Sequence, residues 1–503
     1  MSVEFLFVSR GDDGKIAEIN SEYHAEDLSC GMLLFKNRDN VSMCQTEQIS
    51  AWLIGEIYNI DTLRLIVGQL DGQAWSLNPA EVLLKLKAHL GNSALSLAEG
   101  DFCLFMQQNR HELVIVTDPL GLNLVSVVKA ERLWITNSLK MVGEMAGSSV
   151  FHFMPATGAI FRPFKADDFS PIGNVVRLKP GSVNTIARDC QYFPYLESQL
   201  LSQPAKTYGR QLKQAKLLDL IDQVLRDGIS VLAEKSDVAG IPLSGGLDSS
   251  LVTMLACHYF RKVKTWSIGT EQENEFAFSS LVAEALGTEH EVKILSDGEI
   301  LSGLVNAIYH NEIYDGLSAE IQCGLFTLYP LVAGKVSSLL TGYGADLLFG
   351  GILNTAEKSP DPNALLAQQV YRTRWTGEFV THGARHYGLR VYHPFWRNGM
   401  IALCRHLEPA FKIKDNEVKY ILRVYADMLK ELPKEIVWRK KIGIHEGSAL
   451  NHAFARIIGT GCNNYQRKTQ FSYWLWQQFL TAQLAPEQVT LENLPALLKG
   501  SPQ

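Results

Sequence analysis

The sequence lacks the features that would assign it to a membrane or to nucleic acid. It contains no run of about 18 apolar residues, the length that a membrane-spanning helix needs. The apolar stretch FLFV near the start is short and is bounded by Glu4 and Arg10, so it does not resemble a secretory signal. The chain has 47 Lys and Arg against 53 Asp and Glu, without a basic tail. We therefore expect no membrane or nucleic-acid partner, and any polyanionic ligand should be small.

Cysteine is also scarce, with eight in 503 residues and no CxxC pair. The cysteines stand at positions 30, 44, 103, 190, 257, 323, 404 and 462. In a long chain without an export signal, such residues are expected to be reduced, small, buried apolar side chains. These absences together predict a cytoplasmic protein.

The chain is longer than one hydrophobic core usually supports, and its pattern changes once along its length. Up to about Leu196, short apolar or alternating segments predict an antiparallel β-sandwich, with a helix at Pro79–Leu90. The expected strands are FLFVS, GMLLF, AWLIGEIYN, GDFCLFM, ELVIVTDP, LWITNS, GAIFRPF and GSVNTIA. The polar stretch Gln199–Gln214 is expected to be a linker. We predict two domains, 1–205 and 206–503.

Beyond the linker, helices alternate with short buried strands. The expected elements are helices at Leu217–Ala233, Ser249–Phe260 and Glu275–Leu286, and strands at Val238–Leu243, Val263–Ile268 and Glu291–Leu295. This order predicts a parallel sheet with helices on both faces and ligands at the carboxyl ends of its strands. After about Asp297 the pattern is mostly helical, with one more strand at Val336–Thr341.

The most informative segment is Ile241–Thr253, IPLSGGLDSSLVT, where a strand turns directly into a helix. Its two glycines let the backbone approach an anion, and the free N–H groups of the new helix point to the same place. Ser244 and Ser249 add hydroxyl donors. The carboxylate of Asp248 beside a phosphate favours a bridging cation, for which Mg²⁺ is the usual choice. No Gly-Lys-Ser/Thr follows, so this is not a Walker loop.

The SGGxDSS motif resembles the pyrophosphate-binding loop of the ATP pyrophosphatases, which split ATP into AMP and pyrophosphate and adenylate an oxygen of their substrate. Trp266–Gly269, Asn274–Phe276 and Leu286–His290 extend this likeness to the asparagine synthetase superfamily. The resemblance implies an α/β synthetase domain of the ATP-pyrophosphatase type with ATP as co-substrate. The implied ATP contacts are Leu243, Ser244, Gly245, Gly246, Leu247, Asp248, Ser249, Ile268, Thr341 and Gly342.

A third match to the superfamily covers Leu340–Asp346 and continues into Leu347–Gly351. It implies that Asp346 is a second Mg²⁺ ligand beside Asp248. The two carboxylates are far apart in sequence, but both follow neighbouring parallel strands and can therefore meet.

Asparagine synthetases have a glutamate where this chain has Tyr343. A tyrosine here is similar to the β-lactam-forming branch, in which it forms a catalytic dyad with a glutamate, matched by Glu378. Closing a strained ring from an acyl-adenylate needs an amine that has lost its proton. A tyrosine polarised by a carboxylate can take that proton near neutral pH if cations lower its pKa.

Trp438–Ser448 resembles the family's essential-lysine segment and implies that Lys441 is that cation. The lysine could stabilise the α-phosphate during adenylation and then the oxyanion during ring closure.

Nearly the whole chain is similar to the carbapenam synthetases, including Asn311–Gln322 and His393–Trp396. The resemblance implies that ATP adenylates (2S,5S)-5-carboxymethylproline, and that the ring nitrogen closes on the activated carboxyl to give a carbapenam, AMP and pyrophosphate. The implied substrate contacts include Tyr343 and Gly344.

Two further substrate contacts are expected from helix geometry. If the stretch Gln369–Phe379 is helical, Tyr371, Arg374 and Glu378 share one face. Tyr371 and Arg374 are then candidates to hold substrate or phosphate beside Glu378.

The N-terminal region resembles the glutaminase domain of asparagine synthetases, which has an N-terminal-nucleophile hydrolase fold. The matching segments are Gly55–Asn59, Thr117–Gly121, Thr136–Ser138 and Leu178–Gly181. Glutaminase chemistry needs a cysteine exposed by Met removal, but Ser2 follows Met1 here. At the position where the family has its oxyanion-hole asparagine, this chain has Ile54, which has no side-chain hydrogen-bond donor. We predict an inactive domain that does not hydrolyse glutamine.

Three other interpretations stay open. A β-lactam synthetase acting on another β-amino acid, such as one with a guanidino group, would need acidic groups at the distal end of its pocket. An ammonia-dependent amidating synthetase is disfavoured by Tyr343. A non-catalytic nucleotide-binding or assembly protein is disfavoured by the joint presence of Ser244, Asp248, Asp346, Tyr343, Glu378 and Lys441. By the family resemblance we also expect a homo-oligomer.

Overall fold

The structure is a computed structural model that describes residues 3–10, 23–72, 75–109, 112–155, 170–187, 195–200, 213–353, 362–405, 407–440 and 447–500. None of the helices in these ranges is long and apolar enough to cross a membrane.

The N-terminal region contains two six-stranded antiparallel sheets. The strands are β1 (Phe5–Ser9), β2 (His24–Leu28), β3 (Gly31–Phe35), β4 (Val41–Gln45), β5 (Ser50–Ile57), β6 (Gly100–Asn109), β7 (Glu112–Thr117), β8 (Ser126–Lys129), β9 (Leu133–Thr136), β10 (Val175–Arg177), β11 (Ser182–Ala187) and β12 (Tyr195–Leu200). The first sheet has the order β10-β8-β9-β1-β3-β2, and the second β12-β11-β7-β6-β5-β4. The rings of Phe5 in one sheet and Phe105 in the other meet at 5.2 Å, so the inner faces share one core. The expected antiparallel sandwich is confirmed.

Three helices accompany these sheets: α1 (Ile60–Asp71), α2 (Pro79–Leu90) and α3 (Leu139–Ala146). Helix α2 has the expected bounds because Asn78 and Glu81 form a capping box and a proline starts its first turn. Seven of the eight expected strand segments coincide with strands, whereas GAIFRPF lies outside the described residues. The expectation that the linker begins at Gln199 is wrong, because Gln199 and Leu200 belong to the edge strand β12.

The C-terminal region is built on a five-stranded parallel sheet, as the alternating pattern predicted. Its strands are β13 (Val238–Pro242), β14 (Lys262–Gly269), β15 (Glu289–Ile294), β16 (Ser338–Leu340) and β17 (Arg390–Tyr392), in the order β15-β14-β13-β16-β17. The chain moves outward from β13 to β15 and then returns to the other side of β13 with β16 and β17. The carboxyl ends of β13 and β16 therefore flank a topological switch point, where α/β folds form ligand crevices.

The helices around this sheet are α4 (Gln214–Ala233), α5 (Leu247–Tyr259), α6 (Phe276–Leu286), α7 (Asp297–His310), α8 (Gly316–Val332), α9 (Ala345–Phe349), α10 (Pro362–Thr373), α11 (Asn398–Arg405), α12 (Pro409–Lys412), α13 (Tyr420–Leu429), α14 (Lys434–Val437), α15 (Leu450–Ile457), α16 (Tyr465–Leu480) and α17 (Leu494–Gly500). A short hairpin, β18 (Ile413–Lys414) and β19 (Glu417–Val418), precedes α13.

The two regions pack tightly against each other. Leu120 and Leu122 of the N-terminal region belong to the same buried cluster as the helices around the parallel sheet. The indole Nε1 of Trp396 donates to the carbonyl oxygen of Leu120 at 2.8 Å, and the Arg397 guanidinium donates to Glu99 at 2.6 Å. The two parts of the chain therefore share a core, and the boundary between residues 205 and 206 stays a prediction.

Candidate functional site

A cavity of about 690 Å³ opens at the carboxyl ends of β13, β14 and β16. The residues that the sequence assigned to ATP, metal or substrate and that line this cavity are Leu243, Ser244, Gly246, Leu247, Asp248, Ser249, Ile268, Thr341, Gly342, Tyr343, Gly344, Asp346 and Glu378. The fold therefore gathers these residues, drawn from four separate segments, around one volume large enough for a nucleotide and a small second substrate.

The loop between β13 and α5 is held in an open anion-binding shape by its own serines. The hydroxyl groups of Ser244 and Ser249 lie 3.0 Å apart, and Ser244 Oγ accepts the N–H of Gly246 at 3.2 Å. Gly245 has a φ of +71°, and a Cβ there would lie 2.6 Å from the backbone nitrogen of Ser279. The loop therefore needs glycine at 245, and the N-terminus of α5 faces the cavity as an anion site.

Lys419 lies between the two aspartates that the sequence assigned to a metal. Its Nζ contacts Oδ2 of Asp248 and lies 2.6 Å from Oδ1 of Asp346. Burial alone lowers the pKa of an ammonium, but these two carboxylates outweigh it and raise the pKa of Lys419 above its ordinary value. Because both carboxylates reach one cation, their donor set fits a second hard cation such as Mg²⁺.

Sequence reasoning missed Lys419. The residue precedes α13 with a φ of +58°, a conformation that the neighbouring sequence, without glycine, does not signal. Its side chain is only 3% exposed. Gly351 makes room for it, because a Cβ there would lie 1.9 Å from Asp346 Oδ1 and 2.4 Å from the Lys419 Cε.

Tyr343 follows β16 and lines the cavity, with its hydroxyl donating to the carbonyl oxygen of Ile321 at 3.3 Å. Burial, followed by the charge of Glu378, raises the pKa of Tyr343 above its ordinary value. The expectation that neighbouring cations lower this pKa is therefore not met by the described surroundings, and Tyr343 is a neutral phenol. Lys441, the cation expected to lower it, lies outside the described residues.

Glu378 faces the same cavity, although not from the expected helix. Helix α10 ends at Thr373, so the expectation that Tyr371, Arg374 and Glu378 share one helical face is wrong. Burial, together with the charges of Asp315 and Asp346, raises the pKa of Glu378 to about 7. A carboxyl group with this pKa can exchange a proton near neutral pH.

Tyr371 and Arg374 are not among the residues that line the cavity. The Tyr371 ring meets that of Trp375 at 6.3 Å, and the backbone of Arg374 packs on Gly121 of the N-terminal region. The face of α10 that lines the cavity instead carries Leu365, Gln369 and Thr373. The helical phase could not be read from the sequence, because the stretch 362–373 has no pronounced apolar stripe.

The segment expected to carry Lys441 is flanked by residues that the structure describes. The Arg439 guanidinium pairs with Glu275, donates to the carbonyl oxygen of Gly245 at 3.3 Å, and lies 3.7 Å from the centre of the Phe278 ring. On the other side, Gly447 approaches Glu275 so closely that a Cβ would lie 2.5 Å from its carboxyl carbon. Both ends of the segment thus meet at Glu275, beside the phosphate loop.

Another part of the cavity lining is apolar and suits a flat ring. Its lining includes Leu243, Trp266, Ile268, Leu325 and Leu328. The hydroxyl of Ser267 donates to the carbonyl oxygen of Leu243, which orients the backbone at this edge. Leu243 and Ile268 are the residues that the family resemblance assigned to the adenine.

In the N-terminal region, the position that the resemblance assigned to an oxyanion-binding asparagine has no side-chain hydrogen-bond donor. Ile54 is fully buried in β5, within the core between the two sheets. Ser2 lies outside the described residues. The absence of glutamine hydrolysis stays a prediction.

Comparison with known proteins identifies related families for both regions. Residues 3–201 match the model described as Carbapenam-3-carboxylate synthase, N-terminal, and residues 220–382 and 381–471 match Asparagine synthase, about half of the chain. The chain is 26% identical over 412 residues to carboxyethyl-arginine beta-lactam-synthase of Streptomyces clavuligerus, covering 81% of this chain and 76% of that relative.

A second relative is asparagine synthetase [glutamine-hydrolyzing] 1 of Bacillus subtilis (strain 168). It is 28% identical over 327 residues, covering 61% of this chain and 48% of its own length. Among solved structures, NMN synthetase from Francisella tularensis aligns with 54% of this chain and 94% of its own, at 11% identity and a TM-score of 0.28. That structural likeness is too weak to bear on the fold. The sequence matches show that the chain belongs to the asparagine synthase family and is an ATP-dependent amide-forming synthetase.

Proposed function

We propose that this chain is a ring-closing synthetase that adenylates (2S,5S)-5-carboxymethylproline and cyclises it to a carbapenam, releasing AMP and pyrophosphate, in the biosynthesis of a carbapenem antibiotic. The observation that carries the proposal is that Tyr343 and Glu378 line the same cavity as the Ser244–Ser249 loop and a group of apolar side chains. The match of residues 3–201 to the N-terminal model of carbapenam-3-carboxylate synthase supports it.

The first step uses the phosphate loop. The substrate carboxylate attacks the α-phosphorus of ATP, an oxygen–phosphorus bond forms, and the bond to pyrophosphate breaks. Ser244, Ser249 and the N-terminal N–H groups of α5 would hold the departing pyrophosphate, because these residues line the cavity and the first N–H groups of a helix have no helical partner. Leu243 and Ile268 would hold the adenine against the apolar wall.

Asp248 and Asp346 would hold Mg²⁺, which neutralises phosphate charge when bound. The fit is supported by their shared contact with Lys419, which already places both carboxylates around one cation. When the carboxylates are engaged elsewhere, the Lys419 ammonium becomes a donor for a phosphate oxygen at the same edge of the cavity.

Ring closure is the step for which Tyr343 and Glu378 are proposed as a dyad. The substrate nitrogen attacks the acyl carbon, the carbon–nitrogen bond forms, and AMP leaves with the bonding electron pair. The proton of the nitrogen passes to Tyr343 as the phenol gives its own proton to Glu378. Lys441 would stabilise the oxyanion in this step, and Gly344 leaves space for the substrate beside Tyr343.

The alternative β-lactam synthetase would need acidic groups around a distal guanidinium. The described lining at the α10 end of the cavity includes Ile352, Leu353, Leu365, Gln369 and Thr373, none of which is acidic. This lining supports a small proline derivative over an arginine-derived substrate. Amidation with free ammonia stays disfavoured, because Tyr343 replaces the glutamate of that branch.

The deciding assay incubates the protein with Mg²⁺, ATP and (2S,5S)-5-carboxymethylproline, and follows pyrophosphate, AMP and the bicyclic product. We expect all three in equal amounts. If carboxymethylproline is not turned over but a guanidino β-amino acid gives a cyclic product, the protein is a β-lactam synthetase of the other kind. If it instead gives an amide from aspartate and ammonia, it is an amidating synthetase. A parallel incubation with glutamine measures glutamate, and its release would contradict the proposed inactivity of the N-terminal domain.

Three broader features belong to the same proposal. The chain is divided into an inactive N-terminal-nucleophile hydrolase-like domain, residues 1–205, and an ATP-pyrophosphatase-type synthetase domain, residues 206–503. It acts in the cytoplasm as a homo-oligomer. Size-exclusion chromatography with light scattering measures the oligomeric state.

A further inference from the structure

His393 lies behind the proposed catalytic dyad. It follows β17, is buried, and does not line the cavity. Its imidazole Nδ1 lies 2.7 Å from the hydroxyl oxygen of Thr341, and that oxygen also accepts the backbone N–H of Tyr343 at 3.2 Å. One side of the imidazole is therefore tied to the loop that carries Tyr343.

The other side of the imidazole is tied to the segment that carries Glu378. The second hydrogen-bond partner of His393 is the backbone carbonyl of Phe379, the residue directly after Glu378. Since Nδ1 faces Thr341, this bond uses Nε2. The Phe379 ring also meets the His393 ring edge-on at 5.2 Å. A single side chain thus bridges the two segments from which the dyad projects.

The protonation state of His393 is consistent with this bridge. Burial lowers the pKa of His393 to about 4, so the ring is neutral at physiological pH. A neutral ring with Nε2–H donates to the Phe379 carbonyl and accepts the hydroxyl proton of Thr341 at Nδ1. The Thr341 oxygen then stays available for the N–H of Tyr343. With the ring in this tautomer, each of these hydrogen bonds has one donor and one acceptor.

Ring stacking adds a second restraint. The rings of His393 and Tyr343 lie nearly parallel, at 7°, with centroids 5.8 Å apart. On the far side, the Phe379 ring stacks on Trp396 at 4.2 Å, and the Trp396 indole is anchored to the carbonyl of Leu120. The orientation of the Tyr343 phenol is therefore set by a packed aromatic group whose outermost member is held by the N-terminal region.

We propose that His393 is a positioning residue for ring closure: it sets the separation of Tyr343 and Glu378 by joining Thr341 to the Phe379 backbone. This inference rests on the proposed function, since it assumes that the two residues act as a dyad. Adenylation uses the Ser244–Ser249 loop and the two aspartates, and no described contact joins His393 to them. Its described contact with an implied ATP residue is the hydrogen bond to Thr341. Loss of His393 should therefore slow cyclisation far more than adenylation.

The experiment compares the two half-reactions in His393→Phe, which keeps a ring but removes both hydrogen bonds. Substrate-dependent exchange of labelled pyrophosphate into ATP measures adenylation, and bicyclic product measures closure. We expect exchange within about threefold of wild type, and product formation reduced about 100-fold, the cost of a misplaced catalytic group. His393→Gln, which keeps a donor near the Nε2 position, should recover part of the product rate.

Two further variants separate positioning from general destabilisation. His393→Asn keeps an acceptor near the Nδ1 position for the Thr341 hydroxyl, so it should lose less product formation than His393→Phe. His382→Phe removes another histidine, which is half-buried and lies outside the bridge. It should lower thermal stability while leaving the ratio of product to exchange unchanged. If His393→Phe fails to fold, His393→Asn and His393→Gln carry the test.

A parallel fall of exchange and product in the His393 variants would overturn the inference, as would unchanged product in all of them. Failure of the proposed function is recognised separately, because wild-type protein would then show no carboxymethylproline-dependent exchange.

Discussion

The carboxylate of Asp101 in the N-terminal region lies 2.7 Å from a guanidinium nitrogen of Arg385 in the C-terminal region. The same Asp101 oxygen accepts the hydroxyl of Thr381 at 2.7 Å. Both bonds are largely sheltered from solvent, and they hold the stretch that directly follows Glu378 and Phe379. The N-terminal region, although proposed to be inactive, thus supports the segment that carries Glu378 from outside the cavity.

Asp101→Asn should destabilise the protein, because it leaves the buried Arg385 charge without its partner. We expect a loss of about 3 kcal/mol in the free energy of unfolding, measured by urea denaturation. Arg456→Gln is the matched control, since its ion pair with Asp297 is solvent-exposed and should contribute less than about 1 kcal/mol. Equal losses in both variants would contradict a special role for the Asp101 contact.

Lys419→Met should make folding depend on Mg²⁺. Without the ammonium, the carboxylates of Asp248 and Asp346 lose the cation that they share, at a cost of about 2–4 kcal/mol. Mg²⁺ supplies the missing charge, so it should raise the melting temperature more in the variant than in wild type. Lys262→Met, which removes an exposed ion pair with Glu289, is the control. If Mg²⁺ raises the melting temperature equally in wild type, Lys419→Met and Lys262→Met, the cation binds somewhere other than at Asp248 and Asp346.

Gly351→Ala should disrupt the carboxylate pair without changing any charge. The new methyl group would lie 1.9 Å from Asp346 Oδ1, so either the carboxylate or the backbone must move. We expect a loss of about 1–3 kcal/mol in stability and a larger proportional loss of pyrophosphate formation. Gly298→Ala in α7, where the nearest atom lies 3.8 Å away, should leave both unchanged. An active, stable Gly351→Ala protein would mean that the Asp346 position is not required.

Ring closure should depend on pH through Glu378. The burial that raises its pKa to about 7 means that the base form predominates only above that pH. Product formation should therefore rise between pH 6 and pH 8 while pyrophosphate exchange changes less. Glu378→Gln should abolish closure at every pH, and parallel pH profiles for exchange and product would contradict the assignment.

The same raised pKa stabilises the protonated form of Glu378 in the folded protein. Its contribution to stability is present below the ordinary value of 4.5 and is lost as pH rises through about 7. Glu378→Gln should thus be more stable than wild type at pH 8, by roughly 1–2 kcal/mol after solvent screening. Glu284→Gln, at an exposed carboxyl on α6, should show no such gain.

Tyr343→Phe and Lys441→Ala should differ in the step that they affect. The phenylalanine variant keeps adenylation and slows closure, by about 100-fold or more, because only proton transfer is lost. Lys441→Ala should abolish product outright, because the lysine is proposed to act in both steps. Single-turnover measurements of AMP and product check this difference, and unchanged rates in either variant would remove that residue from its proposed role.

Motifs whose residues lie close together in the sequence could be predicted well. The strand–glycine turn–helix of Ile241–Thr253 and the cap of α2 depend on neighbours along the chain, and the structure has both. The contact between Asp248 and Asp346 through Lys419 was anticipated only in part. Parallel strand order predicts that the two carboxylates meet, whereas Lys419 comes from a left-handed residue beyond a short hairpin, with no motif to mark it.

The end of α10, and the choice of its residues that face the cavity, show why other parts of the site could not be predicted. The sequence alone indicated a helix through Glu378, and a face containing Tyr371 and Arg374. The helix instead ends at Thr373, because the following segment is bound to the N-terminal region. The Trp375 carbonyl accepts from Arg177, and Arg374 packs on Gly121. Contacts between residues so distant in sequence override local helical periodicity.

The sequence by itself determined the phosphate loop, the parallel sheet behind it and the family to which the chain belongs, since these depend on local turn chemistry and on hydrophobic period. Only the tertiary structure decided which side chains share the cavity, where Lys419 lies between Asp248 and Asp346, and that the pKa of Tyr343 is raised and not lowered. Those properties arise from burial and from contacts between distant segments, because desolvation and charge act through space and not along the chain.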